Sequence, residues 1–228
     1  MQPWTLVFDL DGTLVDTAPD LCGAMNAVLA LHDRAPVPIA EVRHMVGRGA
    51  RVLMERGFAF TGAPAGGAQL DGLFEAFLAH YAAHIADESV PFPGARETLA
   101  ALRAQGHGLG ICTNKPERLS HALLDALDLG PFFGAVLGAD TLPVRKPDPR
   151  HLLETIARLG GDPERAVMIG DSETDAETAR AAGVPLVIFT FGYTALDPQT
   201  FGADALLHGY DELPAALDRI MASRGTAR

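Results

Sequence analysis

At 228 residues the chain suits one α/β domain, or a core with a modest insertion. Hydrophobic residues make up 48%, enough apolar material for a packed core. A formal charge of -11, with 18 Lys plus Arg against 29 Asp plus Glu, argues against gripping a nucleic acid by counterion release, although a metal and a few local cations still suffice to hold one small anion.

The two cysteines, Cys22 and Cys112, lie far apart and neither has a CxxC partner, which argues against a disulfide scaffold or a structural zinc site. The N-terminal run MQPWTLVFDLDG is too short in apolar residues, and too acidic, to read as a signal peptide. No apolar run is long enough to span a bilayer. A cytoplasmic protein, monomer or homodimer, is the expectation, with two buried thiols in a reducing compartment.

In chain order, Thr5 to Phe8 reads as a buried strand closing on Asp9. Asp16 or Thr17 is placed to cap a following helix, with Pro19 in its first turn and Leu21, Met25, Val28 and Leu29 at helical spacing. Helices are predicted over 39–46, 50–58 and 69–86, and no strand is evident before about Asp87. From Pro91-Phe92-Pro93-Gly94 the pattern alternates: helix 94–105, strand 108–112, helix 117–127, strand 135–137, helix 149–159, strand 166–169, helix 173–182, strand 185–189, and a last αβ portion to about Met221. Ser223 to Arg228 read as a frayed end. Repeated βα units predict an α/β fold with a doubly wound, mostly parallel, Rossmann-like sheet. The helical block interrupts it after the first strand. The expected division is a catalytic core of 1–16 and 88–228 and a helical cap of 17–87, joined by linkers near 15–18 and 86–92.

Ligands of open α/β sheets bind beyond the carboxyl ends of the strands. Four segments meet that edge: Asp9-Leu10-Asp11-Gly12-Thr13, Thr113-Asn114-Lys115, Arg145-Lys146-Pro147-Asp148-Pro149 and Gly170-Asp171-Ser172-Glu173-Thr174-Asp175. They supply what phosphoryl transfer needs. One carboxylate can form an aspartyl phosphate, and a second, two residues on, can protonate the leaving oxygen and then activate water. Carboxylates from opposed strand ends suit Mg²⁺, and a lysine neutralises the phosphoryl oxygens. Gly12 lets backbone N–H groups approach an anion. Of the 18 cationic side chains only Lys115 and Lys146 are lysines, and both fall in these segments. Lys115 is nonetheless expected to be solvated.

Other features read as structural. His80 and His84 share a helix face without a third ligand, so a packed or solvated pair is expected. Gly47-Arg48-Gly49 follows no strand and is not a dinucleotide fingerprint.

The four segments resemble the four motifs of the haloacid dehalogenase superfamily: DxDGT, a Thr after the second core strand, a Lys before a later helix, and GDxxxD. The helical insert resembles that superfamily's small cap, so the resemblance covers essentially the whole chain. It implies Asp9 as nucleophile and Asp11 as general acid/base, with Thr113 and Lys146 on the phosphoryl oxygens. It implies Mg²⁺ on the Asp9 carboxylate, the Asp11 carbonyl and Asp171, with Asp175 behind the metal or reaching it through water. Gly12, Asn114 and Arg48 are assigned to the substrate. A dehalogenase has no need of Asp11, and a phosphonate-cleaving relative needs a cap lysine that residues 17–87 lack.

Among the phosphatases the chain resembles the bacterial phosphoglycolate phosphatase family. The stretches are FDLDGTLVDTAPDL at 8–21, VGRGARVL at 46–53, PFPG at 91–94, TNKPE at 113–117, GDSETDAETARAAGVP at 171–186 and FGYT at 191–194. This implies hydrolysis of 2-phosphoglycolate, with glycolate formation in carbohydrate metabolism. Arg48, on a Gly-flanked turn facing the core, would then meet the substrate carboxylate. Phosphatases of sugar phosphates, nucleotides or pyrophosphate and a β-phosphoglucomutase share the core motifs, and a catalytically silent binding protein on the same fold is the reading from another class.

Overall fold

The computed structural model describes residues 3–225. The first strand, β1 (Thr5–Phe8), is followed by the short β2 (Val15–Asp16) and then four helices, α1 (Ala18–Ala30), α2 (Ile39–Arg43), α3 (Ala50–Phe60) and α4 (Gly67–Ala83). After β3 (Val90–Pro91) come α5 (Ala95–Ala104), β4 (Gly108–Cys112), α6 (Glu117–Ala126), β5 (Ala135–Leu137) and α7 (Pro149–Arg158). The chain ends with β6 (Ala166–Gly170), α8 (Glu173–Ala182), β7 (Leu186–Phe189), β8 (Ala205–Leu207) and α9 (Leu213–Gly225). The end predicted to fray is helical as far as Gly225, and 226–228 lie outside the described residues. No helix among the described residues is long and apolar enough to cross a membrane.

Six strands form one parallel sheet in the order β5-β4-β1-β6-β7-β8. Successive strand side chains point to opposite faces, which sorts the core into two layers. Leu6, Phe8, Val167, Ile169, Val187 and Phe189 join Leu99, Leu123 and Leu213 on one face, under α5, α6 and α9. Val7, Met168, Leu186 and Ile188 join Leu152, Ile156 and Ala179 on the other, under α7 and α8. Burial on both faces explains why these strands read as continuous apolar runs. All six carboxyl ends therefore meet one edge.

The helices α1 to α4 share an apolar cluster of their own: Leu21, Met25 and Leu29 pack on Met54 and Phe58 and on Leu70, Phe77 and Tyr81. Gly57 has no side chain because α1 crosses there, and an added Cβ would run into Met25. Thr17 is the N-cap residue of α1, without a side-chain cap bond. The segments expected to be plain linkers are paired. β2 and β3 run antiparallel, Val15 opposite Pro91 and Asp16 opposite Val90. The Asp20 carboxylate adds a clasp, accepting from Glu88 N at 3.0 Å, Ser89 N at 2.8 Å and Ser89 Oγ at 2.6 Å.

Candidate active site

β1 delivers Asp9 to the carboxyl edge, and Asp9 N still bonds to Ile169 O of β6. Gly12 turns the chain with φ +83, a region in which L side chains are strained. A Cβ there would also sit 2.7 Å from Asp171 Oδ2 and 2.8 Å from the Tyr193 ring. The turn thus brings the Asp9-to-Thr13 segment against the end of β6.

Asp9, Lys146, Asp171 and Asp175 meet in one buried cluster. Lys146 Nζ lies 3.0 Å from Asp9 Oδ1 and 2.6 Å from Asp175 Oδ1. Asp9 Oδ1 also accepts from Leu10 N at 2.7 Å. Asp171 receives only neutral donors, Thr13 Oγ1 at 2.6 Å and Tyr193 N at 2.8 Å. Asp175 completes a capping box with Ser172 at the start of α8, its Oδ2 accepting from Asp171 N, Ser172 N and Ser172 Oγ. Carboxylate oxygens of Asp9, Asp171 and Asp175 lie within 4.8 Å of one another.

Burial sets the electrostatics. It raises the Asp9 carboxyl to about 6, against the pull of Lys146, and lifts Asp171 well above the usual carboxylate range. Burial also disfavours the charge on Lys146, but Asp175 and Asp9 hold its ammonium above the ordinary lysine value. Three buried carboxylates against one lysine leave a deficit of positive charge. A divalent cation with hard oxygen ligands fits that deficit and that donor set.

The other expected residues surround this cluster. Thr113 is buried at the end of β4, its Oγ1 accepting from Lys115 N. Asn114 Nδ2 ties the core to the helical block, donating to Gly47 O at 3.2 Å and Lys146 O at 3.1 Å, while its buried Oδ1 has no partner. Arg48 stands apart. Its side chain is 52% exposed and reaches Glu173 at 3.4 Å, on the wall of an outer cleft of about 530 Å³ shared with Asp11, Asp171 and Tyr193.

Lys115 corrects the expectation of a solvated side chain. It is buried, and its Nζ donates to Asp11 Oδ1 at 2.9 Å and to the Tyr81 hydroxyl of α4 at 2.8 Å. Burial opposes its charge, but Asp11 and Tyr81 raise the ammonium above its usual range; burial likewise pushes the Tyr81 phenol up to about 12. Thr13, Tyr81 and Tyr193 also went unassigned in the sequence. Thr13 lies inside the first motif, and Tyr193 inside FGYT, but a chain read one residue at a time gives neither a partner. Tyr193 also donates from its hydroxyl to Asp16 Oδ1 at 2.6 Å, where Arg43 of α2 adds a two-pronged ion pair. His80 and His84 lie with ring centroids 4.6 Å apart, and His84 pairs with Asp87.

A narrow cavity of about 40 Å³ opens from Asp9 and Asp11 toward the helical block. Thr113, Asn114 and Lys115 line its core side; Val46, Ala50, Leu53, Phe77 and Tyr81 line the other.

The family model for haloacid dehalogenase-like hydrolases matches residues 5–183. The chain is similar to the phosphoglycolate phosphatase of Caulobacter vibrioides, 54% identical over 96% of this chain and 92% of that protein. It is similar to that of Mesorhizobium japonicum, 46% identical over 96% of this chain and 97% of the relative. Among solved structures, a predicted phosphoglycolate phosphatase from Haemophilus somnus superposes with a TM-score of 0.88 at 28% identity, covering 94% of this chain and 98% of that one. CbbY from Rhodobacter sphaeroides in complex with phosphate gives 0.81 at 25% identity, covering 95% and 100%. The matched segments contain the Asp9, Thr113, Lys146 and Asp171 neighbourhoods described above, and the chain belongs to the haloacid dehalogenase-like hydrolases and is a phosphatase of that family.

Proposed function

We propose that the chain hydrolyses 2-phosphoglycolate to glycolate and phosphate through a phosphoryl group carried on Asp9. The observation that carries this reading is the pair Asp9 and Asp11, each beside its own buried lysine, at the mouth of the narrow cavity. The relatives named phosphoglycolate phosphatase support the same substrate.

Asp9 Oδ1 accepts from Leu10 N and forms the ion pair with Lys146, and among the described residues Oδ2 accepts no protein hydrogen bond. Oδ2 attacks phosphorus as the bond to the glycolate oxygen breaks, and Asp11 gives that oxygen its proton. Glycolate leaves. Asp11 then takes a proton from water as the water attacks phosphorus; the bond to Asp9 breaks and phosphate is released. Lys146 and Thr113 hold the phosphoryl oxygens, with backbone N–H groups of the Gly12 turn. Asp9, the Asp11 carbonyl and Asp171 would hold Mg²⁺, with Asp175 behind them. When bound, the ion neutralises charge on the phosphoryl oxygens. Residues 17–87 act as a cap that excludes water over the core formed by 1–16 and 88–228. Two cations are candidates for the substrate carboxylate, Arg48 at the rim and Lys115 inside. A cytoplasmic location, as monomer or homodimer, agrees with Cys22 and Cys112 both being free thiols.

Phosphate release from 2-phosphoglycolate, sugar phosphates, pyrophosphate and nucleoside monophosphates, with Mg²⁺ and then with EDTA, tests the proposal. The expected result is the highest kcat/KM for phosphoglycolate, lost with EDTA. A different favourite would move the substrate and keep the chemistry. No release from any of them would overturn the proposed substrate and leave the phosphatase with a substrate outside these classes.

A further inference from the structure

Among the described residues Lys115 is the only cationic side chain lining the narrow cavity, and Tyr81 stands beside it. An ammonium has three donors. Two of those on Lys115 go to Asp11 and Tyr81, whose ring centroid lies 4.4 Å from Nζ, and among the described residues the third has no hydrogen-bond acceptor. The Tyr81 hydroxyl accepts from Lys115, and its own proton has no acceptor either. Two donors without acceptors, one from the core and one from α4, therefore stand at the wall of a space otherwise lined by Leu53, Phe77 and Leu119. Buried donors are satisfied by a partner, and a carboxylate offers two oxygens, one for each of these donors.

Arg48 does not meet this description. It lines the outer cleft, is half exposed and already faces Glu173. A cation in that setting contributes little to fixing an anion.

We infer that Lys115 and Tyr81 together bind the carboxylate of the leaving group, so that the specificity of this phosphatase for an anionic two-carbon alcohol is set inside the cavity and not by Arg48. The inference rests on the substrate reading above. It gives Lys115 two neighbours of like importance, the proton-carrying Asp11 and the substrate carboxylate. It also makes recognition depend on closure, because Tyr81 belongs to the helical block and Lys115 to the core.

The test compares kcat/KM for 2-phosphoglycolate with that for 2-hydroxyethyl phosphate, which has the same length and no charge on its tail. Wild type should prefer phosphoglycolate. Lys115→Met should lower that preference by about 100-fold, as expected for removing a buried charge partner. Tyr81→Phe should lower it by about tenfold. Tyr81→Phe keeps the ring in its packing site, so its result stands even if the lysine variant fails to fold. Arg48→Ala should keep the wild-type preference. Equal losses on both substrates in the Lys115 and Tyr81 variants would overturn the inference and leave Lys115 as a positioning residue for Asp11. A preference lost in Arg48→Ala alone would hand the role to Arg48. A wild type indifferent to the carboxylate would overturn the substrate reading, and this inference with it.

Discussion

Asp9 Oδ1 accepts from Leu10 N and pairs with Lys146, among the described residues Oδ2 accepts no protein hydrogen bond, and the proposed mechanism gives the attack to Oδ2. Under the proposed mechanism, replacing that oxygen by an amide removes the nucleophile and keeps the side chain's shape. Asp9→Asn should cut kcat by about 10⁴-fold or more while leaving the melting temperature within a few degrees of wild type, as measured by phosphate release and circular dichroism. On the far side of β4, His151 is fully buried, with Nε2 3.0 Å from Gly138 O and Nδ1 3.5 Å from Cys112 Sγ. Both contacts suit a neutral ring that donates from Nε2. Burial, then Lys146, push it down to about 4 from an ordinary 6.5. In the unfolded chain the imidazole takes a proton below about 6.5, but in the folded chain it does not until about 4. Stability from this group is therefore complete above pH 6.5 and lost as pH falls toward 4. Urea midpoints should fall more steeply over that window for wild type than for His151→Gln, and parallel curves would dismiss the account.

At the scale of elements, the junction between core and helical block is closed by side chains as well as by β2 and β3. Asp20 is the centre of it, with three donors from Glu88 and Ser89. Asp20→Ala strips all three of their acceptor and should destabilise the protein by about 3 kcal/mol, read from urea unfolding, with faster exchange of the Glu88 and Ser89 amides. This junction was not legible in the sequence. A two-residue strand has no periodicity, and Pro91 in one of them argues against a strand at all. The core strands were legible because each is a short run of apolar residues buried on both faces, and the site followed because parallel strands put their following residues on one edge. The positions of Asp9, Asp171 and Asp175 came from that logic, and Lys146 from the segment that leads into α7. Lys115 did not. A lysine after a strand reads as solvated unless something covers it, and what covers it is Tyr81, 34 positions earlier on α4. The exposure of Arg48 was hidden for the same reason: a Gly-flanked turn fixes where a side chain starts, not which of two clefts it enters.

For the whole molecule, the net charge of -11 and the buried trio Asp9, Asp171 and Asp175 act in the same direction. Each adds repulsion that a bound divalent cation relieves. Mg²⁺ at about 100 times its dissociation constant should stabilise the protein by about 2.7 kcal/mol, or roughly 5–10 °C in melting temperature for a chain of this size. EDTA should reverse the rise, and Asp171→Asn should abolish it. A thermal melt with and without the ion reads the effect independently of turnover.

The pairing of Val15 with Pro91 and of Asp16 with Val90 has one more consequence. The chain enters and leaves the helical block through this separate two-stranded ladder, at points about 5 Å apart as partners in an antiparallel ladder are. Everything between is a detour whose two ends already touch. Its length and shape are thus free to vary without altering the spacing of the strands behind it, and a foreign helical hairpin or bundle with neighbouring termini is graftable at the same gate. Transplanting such a module would exchange the Tyr81 half of the cavity while leaving Asp9, Asp11, Lys146 and Asp171 where they stand, so on the proposed function the substrate would change and the chemistry would not.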